Sequence, residues 1–267
     1  MDTVLHRWLK FPYTLHVTEF LSPKRPRATF VLIHGIGNSA KAWEDLIPLL
    51  PNDIRVIGID LLGFGKSPKP TWATYNAKTQ ARSLGVTLLK LRLLQQPTLV
   101  GHSLGSLVSV EVAKRYSLLI KRLILCSPPF YEPTEAKRKL LKRDEILKDL
   151  YRRARKYPQT LEQLSPLAVK LGLATKALNI NAKNVDAYVA ALESSIVNQT
   201  ALKDASQLKL PITIFYGTLD PVVIGSHIRN LAKSNENITA KKIVTGHEVM
   251  GRYTKLVAQE MSQELAE

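Results

Sequence analysis

The sequence predicts an α/β fold, a mostly parallel, doubly wound sheet interrupted by a helical insertion. Three observations carry this. Short, continuous apolar and β-branched runs recur through the chain, as strands buried on both faces require. Helical spacings fill the intervals between them, the β-α-β-α order that implies right-handed crossovers. The strand series then breaks off between residues 129 and 205 and resumes near the end.

Taken in order, Tyr13 to Phe20 is expected to add an antiparallel edge strand. Thr29 to His34 (TFVLIH), Ile54 to Asp60 (IRVIGID), Thr98 to Gly101 (TLVG) and Arg122 to Cys126 (RLILC) are the first core strands. Each stops at glycine or a polar turn. Ala40 to Leu50 follows a loop with Asn38 and Ser39 and is expected to be helical, ending before Pro51. Ala77 to Leu94 places Ala81, Leu84, Leu88 and Leu91 on one helical face. Leu104 to Tyr116 forms a helix directly after the third core strand. Ile212 to Tyr216 (ITIFY) and Thr239 to Val244 (TAKKIV) complete the sheet. The insertion shows only helical spacings, in the Leu140–Ala154, Leu161–Leu173 and Val185–Val197 stretches. It is read as a cap over residues 129–205, with the core formed by 1–128 and 206–267.

Composition narrows the class. The chain has 267 residues, 45% of them hydrophobic, enough to bury a core without disulfides or metal. The single cysteine, Cys126, has no internal partner for a disulfide, which fits a reducing compartment. The beginning of the sequence lacks the apolar stretch of a signal peptide, and every long apolar run is broken by charge, as Lys90 and Arg92 break Leu84–Leu94. A cytoplasmic protein is the expectation. The net charge is +16 and the pI about 9.9. Its spread along the chain argues against a nucleic-acid partner.

The chemistry-bearing residues fall at strand ends. Gly101-His102-Ser103-Leu104-Gly105 is a G-x-S-x-G pattern between a strand and a helix. That context holds a serine on a sharp turn, with its hydroxyl clear of the sheet and a helix N-terminus aimed at developing negative charge. A hydroxyl needs a base to attack at neutral pH. Of six histidines, His247 is the one in a loop after the last strand. His34 and His102 sit within glycine turns and are expected to shape loops. Asp220, after ITIFY, supplies the carboxylate that orients the base; Glu132 in SPPFYEP is the weaker alternative. The order Ser103, Asp220, His247 is that of the nucleophile-elbow folds. The backbone amides of Ile36, in His34-Gly35-Ile36-Gly37, and of Leu104 are the expected oxyanion donors.

These motifs together resemble the α/β-hydrolase superfamily of the AB hydrolase-1 type. The resemblance rests on HGIG at 34–37, the Asp60–Ser67 loop, GHSLG at 101–105, Asp220 and His247, and spans roughly 27–128 and 207–267. It implies that the Asp60–Ser67 glycine loop is a structural turn near the site. That loop lacks the spacing of a phosphate cradle. Relatives that dehalogenate or open epoxides carry aspartate at the elbow, and Ser103 argues against both activities.

The resulting expectation is a serine hydrolase acting on carboxylic esters with an apolar acyl part through an acyl-enzyme, with no metal or organic cofactor. Cleavage of a C–C bond beside a carbonyl, thioester or amide hydrolysis, and a ligand-binding receptor with little turnover remain as alternatives on the same residues. The Thr134–Pro158 stretch is dense in Lys and Arg with Leu140, Leu147 and Leu150 interspersed. It is read first as a solvated helix whose apolar face covers the pocket, and second as a contact with an anionic membrane.

Overall fold

The fold is described from a computed structural model, over residues 3–132, 185–197 and 199–265. The basic Thr134–Pro158 stretch and the Leu161–Leu173 helix lie outside the described residues.

Seven strands form one sheet: β1 (Val17–Leu21), β2 (Thr29–Ile33), β3 (Arg55–Ile59), β4 (Thr98–His102), β5 (Arg122–Cys126), β6 (Ile212–Gly217) and β7 (Ile238–Ile243). Their spatial order is β1-β3-β2-β4-β5-β6-β7. Only β1 runs antiparallel, and it lies at the edge. Six of the helical segments matter here: α1 (Ala77–Lys90), α2 (Leu104–Arg115), α3 (Val185–Ala191), α4 (Ala201–Ser206), α5 (Gly225–Ser234) and α6 (Arg252–Gln263).

The continuous apolar strands are explained by two cores. Val31, Ile33, Ile57 and Ile59 belong to one core, on the face of the sheet that also buries Leu84 and Leu88 of α1, Leu107 of α2, Ala205 of α4 and Ile228 of α5. Phe30, Leu32, Val56 and Val100 point to the other, against Trp43, Leu46 and, from α6, Tyr253, Val257 and Met261. Each such side chain contributes roughly 1.5–3 kcal/mol on burial, so neither face tolerates the alternating polar pattern of a half-exposed sheet.

The boundaries differ from the sequence expectation where side chains compete with the ladder. The edge strand starts at Val17 rather than Tyr13. Before it, the Leu15 amide donates to Thr87 Oγ1 and the His16 amide to Ser67 Oγ, so these residues are tied to α1 and a loop. Ala40–Leu49 forms a tight 3₁₀ helix with Pro48 inside it, a residue that has no amide to donate to a longer helix. The helix after it, α1, ends at Lys90, because Arg92 turns left-handed with φ 45°. The expected Val185–Val197 helix divides into α3 and a wider π turn, Leu192–Val197. The sequence expectation did not include α6, which follows Gly251, although its buried Tyr253, Val257 and Met261 recur at helical spacing.

Candidate active site

The site is assembled from the ends of β2, β4, β6 and β7. Ser103 stands between β4 and α2 with φ 52° and ψ −115°. A non-glycine residue there stores roughly 1–3 kcal/mol of strain. Neighbouring hydrogen bonds hold the turn: the Ser103 amide donates to the Cys126 carbonyl (2.9 Å), the Ser106 amide donates to the Ser103 carbonyl (2.9 Å), and Ser106 Oγ donates to the Gly101 carbonyl (2.7 Å). The glycine of the motif at position 105 has a direct reason. A Cβ there would collide with the carbonyl oxygens of Ile33 and His34, so only glycine lets α2 start this close to β2.

Asp220 and His247 are brought together by β6 and β7. Leu219 donates its amide to the Thr245 carbonyl (3.1 Å), and a Cβ at Gly217 would strike that same carbonyl. The two loops therefore run in contact. Asp220 Oδ1 accepts from the amides of Val222 (2.7 Å) and Val223 (3.2 Å), which fixes the carboxylate. Its Oδ2 lies 2.8 Å from His247 Nδ1, and His247 Nε2 lies 3.0 Å from Ser103 Oγ. A carboxylate only accepts, so Nδ1 carries the proton and Nε2 offers its lone pair to the Ser103 hydroxyl. Burial pushes the Asp220 carboxyl up, but the hydrogen bond and charge of His247, with the two amides, outweigh it and hold it below its usual range. The aspartate is thus both a turn residue and the partner of the histidine.

The other sequence candidates sort themselves around this chain of contacts. Glu132 lines a separate cleft with Gln199 and His227. Leu104 opens α2, so its amide is one that the helix leaves free. Ile36 follows Gly35, whose position is so close to Ser103 that an added Cβ would stand 3.3 Å from the serine Cβ. His34 is buried and shapes the loop as expected. Its Nδ1 donates to the Gly35 carbonyl (2.7 Å) and its Nε2 accepts from the Leu61 amide (2.9 Å). Asp60 organises the glycine loop, accepting from the amides of Ala40 (2.7 Å) and Lys66 (2.8 Å).

Two residues near the site carry more than the sequence suggested. His102 ends β4, and its Nε2 donates to the His247 carbonyl (3.0 Å), anchoring the histidine loop to the elbow. Burial pushes its imidazolium down, against the opposing pull of Glu248, so the ring stays neutral. Glu248 has one buried carboxylate oxygen without a hydrogen-bond partner. Their only sequence signal was adjacency to Ser103 and His247. Among the described residues, His102, His247 and Glu248 bring one potential metal-ligand atom each within 4.8 Å of one another. The nitrogens of His247 already face Asp220 and Ser103, so a metal there would dismantle the serine contact.

Over this floor, α3 and the following π turn rest on the Leu61–Tyr75 loop. Ser194 Oγ donates to the Thr74 carbonyl (2.7 Å) and Ser195 Oγ to the Tyr75 carbonyl (3.0 Å). Tyr188 of α3 is pushed up by burial, with the negative charge of Glu248 adding to the effect.

A family model for the alpha/beta hydrolase fold matches residues 28–249. A probable lysophospholipase of Arabidopsis thaliana, BODYGUARD 4, is 31% identical over 112 residues, covering 41% of this chain and 27% of the relative. An uncharacterised protein of Mycobacterium tuberculosis is 39% identical over 97 residues, covering 36% and 28%. The matches thus span little more than a quarter of these curated relatives. Among solved structures, the enol-lactonase of Burkholderia xenovorans LB400 superposes with a TM-score of 0.73 at 19% identity, covering 95% of this chain and 96% of its own. A thermophilic esterase of Thermogutta terrifontis gives 0.73 at 20%, covering 94% and 93%. At these identities the structural likeness speaks to the fold.

Proposed function

We propose that this chain, which belongs to the alpha/beta hydrolase fold family, is a serine hydrolase that cleaves carboxylic esters through an acyl-enzyme. The observation that carries the reading is the unbroken contact from Asp220 through His247 to a Ser103 held on a strained turn. In this reading His247 takes the hydroxyl proton as Ser103 attacks the carbonyl. The amides of Ile36 and Leu104 hold the oxyanion, and each such donor contributes about 10²–10³ in rate. His247 then gives the proton to the departing alcohol. Water, deprotonated by the same imidazole, releases the acid. Asp220 keeps the histidine in the tautomer that accepts.

The named activities of similar proteins include lysophospholipase, esterase and enol-lactonase, which keeps acyl transfer to water as the common chemistry. Hydrolysis of p-nitrophenyl esters from acetate to palmitate by the wild type and by Ser103→Ala tests the reading. Turnover lost in the variant is the expected result, and the chain-length optimum reports pocket depth. A folded wild-type protein inactive on every ester contradicts it.

A further inference from the structure

Between Thr3 and Phe11 the chain exposes an apolar surface that the core does not use. Trp8 is 76% exposed, Leu9 68% and Phe11 56%, with Val4 and Leu5 also outward. The segment is nevertheless fixed. His6 stacks on the buried Tyr13 with ring centroids 3.7 Å apart, and Nδ1 of His6 donates to the Phe11 carbonyl (2.8 Å). Arg82 of α1 donates to the Lys10 carbonyl (2.9 Å). Trp72, itself partly exposed, lies across Tyr13 at 6.0 Å. A groove of about 290 Å³ runs between the segment and the Leu61–Tyr75 loop.

The charged side chains that line the groove, Arg7, Lys10 and Arg82, are all cationic. From Thr3 to Thr18 the sequence contains Arg7 and Lys10 and no acid. From Leu61 to Val110, which includes the facing loop and all of α1, it contains Lys and Arg but again no aspartate or glutamate. Exposed aliphatic and tryptophan side chains beside Arg7, Lys10 and Arg82 suit the boundary of an anionic bilayer: the rings sit at headgroup level while Arg7 and Lys10 reach lipid phosphates. A nucleic acid could stack on the aromatics but offers nothing to Val4, Leu5 and Leu9. The same Leu61–Tyr75 loop that borders the groove contacts His34 on its inner side and carries α3.

We propose that the Thr3–Phe11 segment, with Trp72 and Arg82 beside it, is a docking surface for anionic lipid membranes. Vesicle contact stands independently of the hydrolase reading; delivery of a lipid ester from the surface to Ser103 rests on it.

The test uses the full chain with vesicles of phosphatidylcholine alone and mixed with phosphatidylglycerol, read by co-sedimentation and tryptophan emission. Binding to the anionic vesicles with a blue shift is expected, weakened about tenfold or more by salt. The double variants Trp8→Ser/Leu9→Ser and Arg7→Glu/Lys10→Glu, all at exposed positions, should each weaken binding to a similar extent. Hydrolysis of soluble p-nitrophenyl acetate should stay unchanged in both. Ser103→Ala should bind vesicles as the wild type does, which separates failure of the surface from failure of the catalytic reading. No binding to anionic vesicles at low salt overturns the proposal. So does binding undiminished in both double variants, which would move the contact elsewhere, for example to Thr134–Pro158. Self-association or oligonucleotide binding abolished by the same variants, without vesicle binding, also overturns it.

Discussion

At the carboxyl ends of β4, β6 and β7 the sheet carries Ser103, Asp220 and His247. At the amino ends of β4, β5 and β6 it carries Thr98, Arg122 and Thr213, gathered by Glu264 and Glu260 at the end of α6. Glu260 accepts from Thr213 Oγ1 (2.6 Å), Arg122 (2.8 Å) and Lys241 (2.5 Å), and Glu264 accepts from Thr98 Oγ1 (2.6 Å) and faces Lys121 (3.3 Å). Both ends bury carboxylates, and both Asp220 and Glu260 are held below the usual range. For Glu260, burial pushes up and Lys241, Thr213 and Arg122 prevail. The difference is in the partners. Permanent cations saturate Glu260, which makes it a clamp between α6 and the sheet. Asp220 has one imidazole and two amides, and that imidazole also faces a serine, which leaves a proton free to move.

The comparison makes the two ends separable. Asp220→Asn keeps an acceptor for the Val222 and Val223 amides but removes the group that selects the His247 tautomer. Ester turnover should fall by about 10⁴-fold with little change in melting temperature; a loss under tenfold would break the assignment. Gly105→Ala, where the new Cβ meets backbone carbonyls, should cost more than about 4 kcal/mol in urea denaturation. Gly246→Ala, with nothing within 4 Å, should stay within about 0.5 kcal/mol. Glu260→Gln leaves Arg122 and Lys241 without their counter-charge. It should cost about 3 kcal/mol of stability while kcat of the remaining folded enzyme is unchanged.

Acid pH sharpens the contrast further. Burial pushes the His34 pKa down to about 4, against the Gly35 carbonyl and Asp60. Above about pH 6.5 the ring is neutral folded or unfolded, so it adds no pH dependence. As pH falls from about 6.5 toward 4, only the unfolded chain binds the proton. Stability should then drop by about 1.4 kcal/mol per pH unit for this histidine, before the carboxylates contribute. Glu260 and Asp220 act in the opposite chemical sense but the same direction. Their depressed values give stability that is present above the ordinary carboxylate range and lost below it. Denaturation curves at pH 7, 6 and 5 test the order; a flat profile to pH 5 would contradict the buried, neutral His34.

Much of the catalytic end was legible because its chemistry sits at positions that sequence punctuates. Continuous runs such as TLVG and ITIFY marked strands; Ser103 follows β4 directly, and Asp220 and His247 lie in the short loops just after β6 and β7. The amino end was not legible. Glu260 and Arg122 lie 138 residues apart, and nothing local announces that they meet. α6 does carry helical spacing in its buried Tyr253, Val257 and Met261, but no cap signal beyond Gly251 marks where it begins. The late start of β1 was hidden too: Thr87 and Ser67, remote in sequence, take the amides that an earlier start would have used.

The most direct test of the central claim is stoichiometric labelling with a fluorophosphonate, mapped by peptide mass spectrometry in the wild type and in His247→Ala. The account predicts one label per chain, on Ser103, and labelling slowed by several orders of magnitude without the histidine. An unlabelled, folded wild-type protein, or a label on another residue, would contradict it.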